Sequence, residues 1–303
     1  MVSGPGARER LGIIAGSAAH QALAGLGLEE DDLSPVETPF GRSSPVGLGQ
    51  VGGVEVVVAA RHGAGEYALA APFVNYRANL YALKERGVTQ VISWSGPGAI
   101  DVGLAIGQYV VPEDVLDETR GRADTFFEGT GLGVIRQYPV FCPRLQGVLE
   151  VAGRAVGRPV RRGGTYVCTQ GPRLETPAEI RKYRMLGADY VGMTLCPEVF
   201  LAHELEICYA AILYLTNYAE GLKPAAAEPD RLFGGLMSPE EERAQREAVA
   251  ALPDLIGAAA GLLSSTREPC RCQSSMERYR RSGRIGSDWR LWMGCASRPP
   301  TPS

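Results

Sequence analysis

The sequence predicts an α/β fold: one domain in which a largely buried β-sheet is flanked by helices. Three observations predict it. Short apolar or β-branched runs recur along the chain and give way to glycine, serine or charged loops. Between them lie segments with helical apolar spacing or helix-start chemistry, and strands alternating with helices imply a largely buried sheet. The length of 303 residues, with 45% apolar and 21% charged residues, is globular and suits one large domain.

Residues 11–16 (LGIIAG) read as the first strand, and residues 54–60 (VEVVVAA) as a buried strand running into Arg61-His62-Gly63. Residues 73–86 set Phe73, Tyr76, Leu80 and Leu83 at helical spacing, with a stop at Gly87. Residues 91–94 (VISW) form a strand that enters the small-residue loop SGPGA, and residues 108–111 and 165–169 read as further strands. Thr176-Pro177-Ala178-Glu179 is a capping box with proline at the first helical position; its helix runs to about Leu186 and stops at Gly187. Ser238-Pro239-Glu240-Glu241 repeats the device before a helix to Leu252, with Pro253 kinking any continuation. Residues 188–193 and 208–216 alternate with these helices as strands. The Ala/Pro-rich connection 219–230 is suited to a loop over a site.

The net charge of −3 gives no global basic field. It hides an asymmetry: residues 267–303 hold eight Arg, no Lys and three acids, a net of +5, so the first 266 residues carry −8. That end lacks helical or alternating period and is expected to be disordered. The chain thus divides into a flexible N-terminus (1–10), a domain (11–263) and an Arg-rich tail (264–303). Arginine interleaved with Trp289 and Trp292 offers a route to nucleic acid, against the plainer reading of a non-functional extension. No apolar run approaches the ~20 residues of a membrane span, and the first ten residues lack a signal core, which points to a cytoplasmic protein without membrane contact. Cys142, Cys168, Cys196 and Cys208 lie in apolar stretches as reduced core residues. Cys270-x-Cys272 is tighter than a usual zinc knuckle and no histidine follows it, so no metal is expected.

Three loops after strands present groups suited to an oxyanion. Gly16-Ser17 offers a hydroxyl and backbone N–H groups, Arg61-His62 a fixed and a switchable cation, and Ser95-Gly96 a second hydroxyl and N–H. In open α/β sheets such loops converge beyond strand carboxyl ends. Neither a dinucleotide fingerprint, a Walker loop, a zinc-protease helix nor a G-x-S-x-G elbow is present.

The ordered set of residues 12–17, Thr38-Pro39-Phe40-Gly41, Arg61-His62-Gly63, residues 74–79, Gly171-Pro172-Arg173-Leu174-Glu175-Thr176, Gly192-Met193-Thr194, Pro197-Glu198 and Thr216-Asn217-Tyr218 resembles the trimeric purine nucleoside and methylthioadenosine phosphorylases from about Leu11 to Leu263. The resemblance implies a single α/β domain with a central mixed β-sheet flanked by helices in three layers, and reversible phosphorolysis of a purine nucleoside, with inorganic phosphate as co-substrate, no organic or metal cofactor, and a homotrimer. By position it implies Ser17, Arg61, His62, Ser95, Gly96 and Thr194 as phosphate ligands. Asn217 and His62 would be catalytic, Met193 would lie under the ribose, and Tyr218 and Ala219 would stand beside the base.

Members that cleave 6-aminopurine nucleosides resemble a pattern with Asp at the positions of Asn217 and Ala219. Here an Asn amide can donate toward O6 and N7, whereas an ionised Asp only accepts. Glu175 matches a glutamate that accepts from N1–H in 6-oxopurine members. Both positions suit hypoxanthine or guanine. No histidine follows residue 203; Leu232, Phe233, Leu236 and Met237 stand where ordinary nucleoside phosphorylases resemble a pattern with a 5′-binding His. An apolar pocket favours a methylthio group, which points to 5′-methylthioinosine. The alternatives are a methylthioadenosine phosphorylase, a general inosine/guanosine phosphorylase, or a catalytically weakened nucleoside-binding relative. The last is motivated by Ala18 and Glu66: Ala18 stands where the family has glycine, and a positive φ would strain it.

Overall fold

In a computed structural model of the chain, the described residues are 10–18, 22–63, 68–223, 237–265 and 270–293. The strands in chain order are β1 (Arg10–Ala15), β2 (Glu37–Thr38), β3 (Gly41–Arg42), β4 (Val46–Val51), β5 (Val54–Ala60), β6 (Val88–Ser95), β7 (Gly98–Ala99), β8 (Tyr109–Val111), β9 (Asp114–Glu118), β10 (Val160–Arg162), β11 (Thr165–Thr169), β12 (Tyr190–Gly192), β13 (Cys208–Tyr214) and β14 (Asn217–Tyr218). A seven-stranded mixed sheet runs β10-β8-β13-β6-β1-β5-β4, and a five-stranded sheet runs β14-β7-β12-β11-β9. In the larger sheet β5, β1, β6 and β13 are mutually parallel, β4 runs against β5, and β8 runs against β13 but parallel to β10. Their cores are continuous apolar runs; Ile13, Val57, Ile92 and Ile212 are fully buried, as strands covered on both faces require.

Several strands pass directly from one sheet into the other. β6 continues as β7 across Gly96-Pro97, β8 as β9 across Pro112-Glu113, β10 as β11 across Gly163-Gly164, and β13 as β14 across Leu215-Thr216. This corner brings the carboxyl ends of β6 and β13 against the small sheet.

The capping boxes form as the sequence requires. Thr176 Oγ1 accepts from Glu179 N at 3.2 Å and the Glu179 carboxylate accepts from Thr176 N at 2.7 Å, opening the helix Pro177–Met185. Ser238 and Glu241 exchange the same pair of bonds. Three expectations need correction. The helix after Phe73 starts later, at Tyr76, because Asn75 caps it by accepting from Ala78 N; Phe73 is left 69% exposed. The helix begun at Pro239 does not end at Leu252 but runs through Pro253 to Ser265. It is long and apolar enough by composition to cross a membrane, yet half of its apolar stretch is buried inside the fold, with Leu252, Leu255 and Ile256 inaccessible.

The third correction concerns the C-terminal segment. Residues 270–293 fold onto the body through the short helix Glu277–Arg281 and two 3-10 turns. Met276, Tyr279, Trp292 and Met293 join the core around Leu201 and Leu205. Three of the arginines that suggested nucleic acid are held in ion pairs, two of them with the body of the protein. Arg280 pairs with Glu206 at 2.7 Å, Arg281 with Glu277 at 2.9 Å and Arg290 with Glu85 at 2.6 Å, while Trp289 packs edge-on against Tyr81. The order comes from isolated anchors in short turns, which carry no period to read.

Candidate active site

Because β1, β5, β6 and β13 are parallel, the segments after them emerge at one edge, and these carry Ser17, Arg61-His62, Ser95-Gly96 and Thr216-Asn217. In the small sheet the register sets Gly98 between Val191 and Asn217. Met193 and Thr194, which follow β12, therefore lie toward Gly96 and Ser95. The Thr194 and Ser95 hydroxyls are 3.2 Å apart and both residues are buried. The first loop is pinned to the same place: the Ser17 carbonyl accepts from Trp94 Nε1 at 3.1 Å and from Tyr214 Oη at 3.0 Å. Gly16 permits the approach, since a Cβ there would collide with the Trp94 carbonyl and sit 2.7 Å from Arg61 Nη1. Ala18 has φ 61°, the left-handed conformation that burdens a residue with a Cβ.

Arg61 is fully buried. Its Nε and Nη2 donate to the two Glu198 oxygens at 2.8 Å each, Nη2 also to Ser93 Oγ, and Nη1 to the Trp94 carbonyl at 3.1 Å. Glu198 is completed by Ser93 Oγ at 2.9 Å and Tyr209 Oη at 2.6 Å. Burial alone would lower the guanidinium pKa, but Glu198 more than offsets it and the net shift is upward. Among the described residues the second Nη1 hydrogen has no partner beyond these bonds, and Nη1 lies next to Gly16.

His62 is held through Nδ1, 2.8 Å from the Leu69 carbonyl. Burial, and then Arg61, push its pKa down to about 4, so the ring is neutral at pH 7. The expectation of two local cations, one fixed and one switchable, is thereby corrected. Arg61 is neutralised by Glu198 and His62 is uncharged, so an anion here meets hydroxyl and N–H dipoles rather than net charge. Sequence reading quoted Pro197-Glu198 without a role, because the partner of Arg61 lies 137 positions away.

On the other side, Glu175 is buried and accepts from Thr169 Oγ1. Burial raises its pKa, opposed by that hydrogen bond. It lines a cavity of about 320 Å³ with Glu118, Arg120, Gly171 and Arg173. Asn217 is buried on β14; Nδ2 donates to the Tyr218 carbonyl at 2.9 Å and Oδ1 accepts from Thr216 Oγ1 at 2.7 Å. A carbonyl only accepts, so Tyr218 fixes which end of the amide is nitrogen, and one N–H remains for a ligand. That nitrogen, Val191 Cγ1 and the Ala219 backbone all lie within 3.6 Å of where a Gly98 side chain would begin.

Met193 is half-buried, its side chain against Gly171 and its carbonyl accepting from Arg122 at 2.7 Å. Arg122 was not singled out in sequence. It also donates to the carbonyls of Cys196 at 2.7 Å, Gln170 at 2.8 Å and Thr169 at 3.2 Å, tying the ends of β11 and β12 together. A single Arg in a loop carries no signal for this. The Tyr218 hydroxyl donates to the Leu104 carbonyl at 2.6 Å, and Ala219 belongs to an apolar cluster with Val167, Ile180 and Val191. Met237 is half-buried at the start of the last long helix; Leu232, Phe233, Leu236 and Glu66 lie outside the described residues.

Comparison with known proteins matches this architecture. The family model described as the phosphorylase superfamily covers residues 10–253. The 6-oxopurine nucleoside phosphorylase of Pyrococcus furiosus is 41% identical over 220 residues, spanning 70% of this chain and 81% of that protein. A Methanothermobacter thermautotrophicus protein named "Probable S-methyl-5'-thioinosine phosphorylase" is 36% identical over 266 residues, 88% of each chain. Among solved structures, a methylthioadenosine phosphorylase from an antarctic soil metagenomic library superposes with a TM-score of 0.80 at 26% identity, covering 96% of this chain and 99% of that one.

Proposed function

The chain belongs to the phosphorylase superfamily, and on that premise we propose that it is a nucleoside phosphorylase that cleaves 6-oxopurine nucleosides, with 5′-methylthioinosine as the favoured substrate. The observation that carries the base preference is the pairing of a donor at Asn217 with an acceptor at Glu175. The C1′–N9 bond breaks with its electron pair passing to the purine, while phosphate oxygen bonds to C1′. Charge builds toward N7 and O6, where the remaining Asn217 N–H donates. The Glu175 carboxylate accepts from N1–H, a hydrogen that adenine lacks. The products are the free base and the 1-phosphate of ribose or 5-methylthioribose.

Phosphate would be held under the sugar by the Ser17, Ser95 and Thr194 hydroxyls, the Gly96 N–H and the last Arg61 Nη1 hydrogen, with His62 as a neutral wall. An uncharged cradle suits a nucleophile, since a tightly neutralised anion would attack more slowly. The 5′-methylthio preference is supported by the absence of histidine after residue 203 and by half-buried Met237. No cofactor enters this scheme. The homotrimer belongs to the same proposal, and light scattering of the purified chain tests it.

A panel of inosine, guanosine, 5′-methylthioinosine and 5′-methylthioadenosine, each with and without phosphate, decides the proposal. Phosphate-dependent release of hypoxanthine, fastest from methylthioinosine, is expected. Cleavage of methylthioadenosine alone would overturn the base assignment, and equal rates on inosine and methylthioinosine would overturn the 5′ preference.

A further inference from the structure

Four cysteines from three remote parts of the chain meet in space. The Sγ atoms of Cys142, Cys208, Cys270 and Cys272 all lie within 4.8 Å of one another. Cys142 is the N-cap of the helix Pro143–Ala155, Cys208 opens β13, and Cys270 and Cys272 begin the C-terminal segment. A backbone bond from Cys142 N to the Tyr209 carbonyl, 2.8 Å, fixes the first pair. We propose that these four side chains form a tetrathiolate site for a soft divalent cation, zinc by the chemistry of the ligand set, and that the ion fastens the C-terminal segment to the body of the enzyme.

The spacing argument against a metal fails because it looked for the remaining ligands beyond Cys272, whereas the fold supplies them from upstream. Zinc–thiolate bonds of ~2.3 Å in a tetrahedron put the sulfurs about 3.8 Å apart, inside the observed spread. Cys208 Sγ and Cys270 Sγ are 3.0 Å apart.

The surroundings are built for negative charge. Four thiolates around a divalent ion leave a net charge of about −2, which neutral thiols would not. Arg144 brings Nη2 to 4.0 Å from Cys208 Sγ and is held there by Gln90 Oε1 at 2.6 Å. Its buried Nε has no hydrogen-bond partner among the described residues. The Cys142 side chain makes no capping bond at the N-terminus of a 13-residue helix, whose positive end favours a thiolate. Cys168 and Cys196 stand apart from this group; Cys168 Sγ contacts the Cys196 carbonyl.

The site lies at the amino end of β13, while the nucleoside residues follow its carboxyl end. Six residue steps separate Cys208 from Tyr214, about 20 Å along the strand. The ion is therefore structural and distinct from phosphorolysis. Past Cys272 the chain is anchored at once, with Met276 N donating to Glu206 at 3.0 Å.

Elemental analysis of the full-length chain, purified reduced and without chelator, should find one zinc per chain. Titration of the metal-stripped chain with cobalt(II) should give the visible bands of tetrahedral tetrathiolate coordination. The double variant Cys270→Ser/Cys272→Ser should lose the metal, melt at lower temperature and still phosphorolyse its nucleoside. Absence of both bound zinc and the cobalt spectrum overturns the proposal, as does mass spectrometry showing the four cysteines joined as disulfides. The cobalt titration uses the unsubstituted chain, so it decides the question even if the double variant does not fold.

Discussion

At position 217 one amide hydrogen separates two chemistries. The Tyr218 carbonyl and the Thr216 hydroxyl orient the Asn217 side chain, so the donor that the proposed mechanism assigns to the base is held in place beforehand. Asn217→Asp should lower kcat/KM for 6-oxopurine nucleosides about 100-fold, the usual cost of removing one donor from a developing charge, and raise relative use of 6-aminopurines. An unchanged preference in the substrate panel would refute the role. Glu175 titrates above the ordinary carboxylate value of 4.5 because it is buried. Below its pKa it is protonated and only a weaker, uncharged acceptor toward N1–H, so kcat/KM for inosine should fall with decreasing pH through an acid limb. Glu175→Gln should remove that limb; a profile that keeps it assigns the limb elsewhere. His62, held near 4, adds no titration around neutrality. Ala18 sits at φ 61°, where a Cβ costs about 1–2 kcal/mol. Ala18→Gly should therefore stabilise the fold by up to about 1 kcal/mol in urea denaturation, after the added freedom of the unfolded chain is subtracted.

The elements most plainly written in sequence are those whose ends carry their own chemistry. The Thr176 capping box and the run VEVVVAA appear at the predicted places because a cap or a β-branched run is local. The start at Tyr76 was missed because the apolar spacing of Phe73 outweighed the Asn75 cap, and the helix through Pro253 was missed because packing overrides a local penalty. Between elements, the Arg61–Glu198 pair ties the loop after β5 to the helix Leu195–Glu204 and to the end of β6. Glu198→Gln leaves a guanidinium buried without its counter-charge and should destabilise the protein by about 3–5 kcal/mol. A shift under 1 kcal/mol in denaturant midpoint analysis would mean that the pair contributes little to folding.

At the scale of the whole molecule, the charge asymmetry of the chain reads differently once folded. Glu206 and Glu85 of the body pair with Arg280 and Arg290, while Arg281 pairs with Glu277 inside the C-terminal segment itself, so part of the basic charge is matched by the acidic body on folding. Removing residues 270–303 should expose the core surface covered by Met276, Tyr279 and Trp292, lower the melting temperature and promote aggregation. Filter binding of the full chain to RNA should show no salt-sensitive affinity; strong binding abolished by the deletion would restore the nucleic-acid reading.

The α/β fold class, the loops at the strand ends and the family were legible in the sequence, because those depend on local period, capping chemistry and an ordered set of motifs. Only the folded chain shows the neutralisation of Arg61 by Glu198, the uncharged His62, the pinning of β11 to β12 by Arg122, the order of residues 270–293 and the meeting of four cysteines. Each of these depends on groups tens to more than a hundred positions apart, whose burial and mutual distance exist only after the two sheets close on each other.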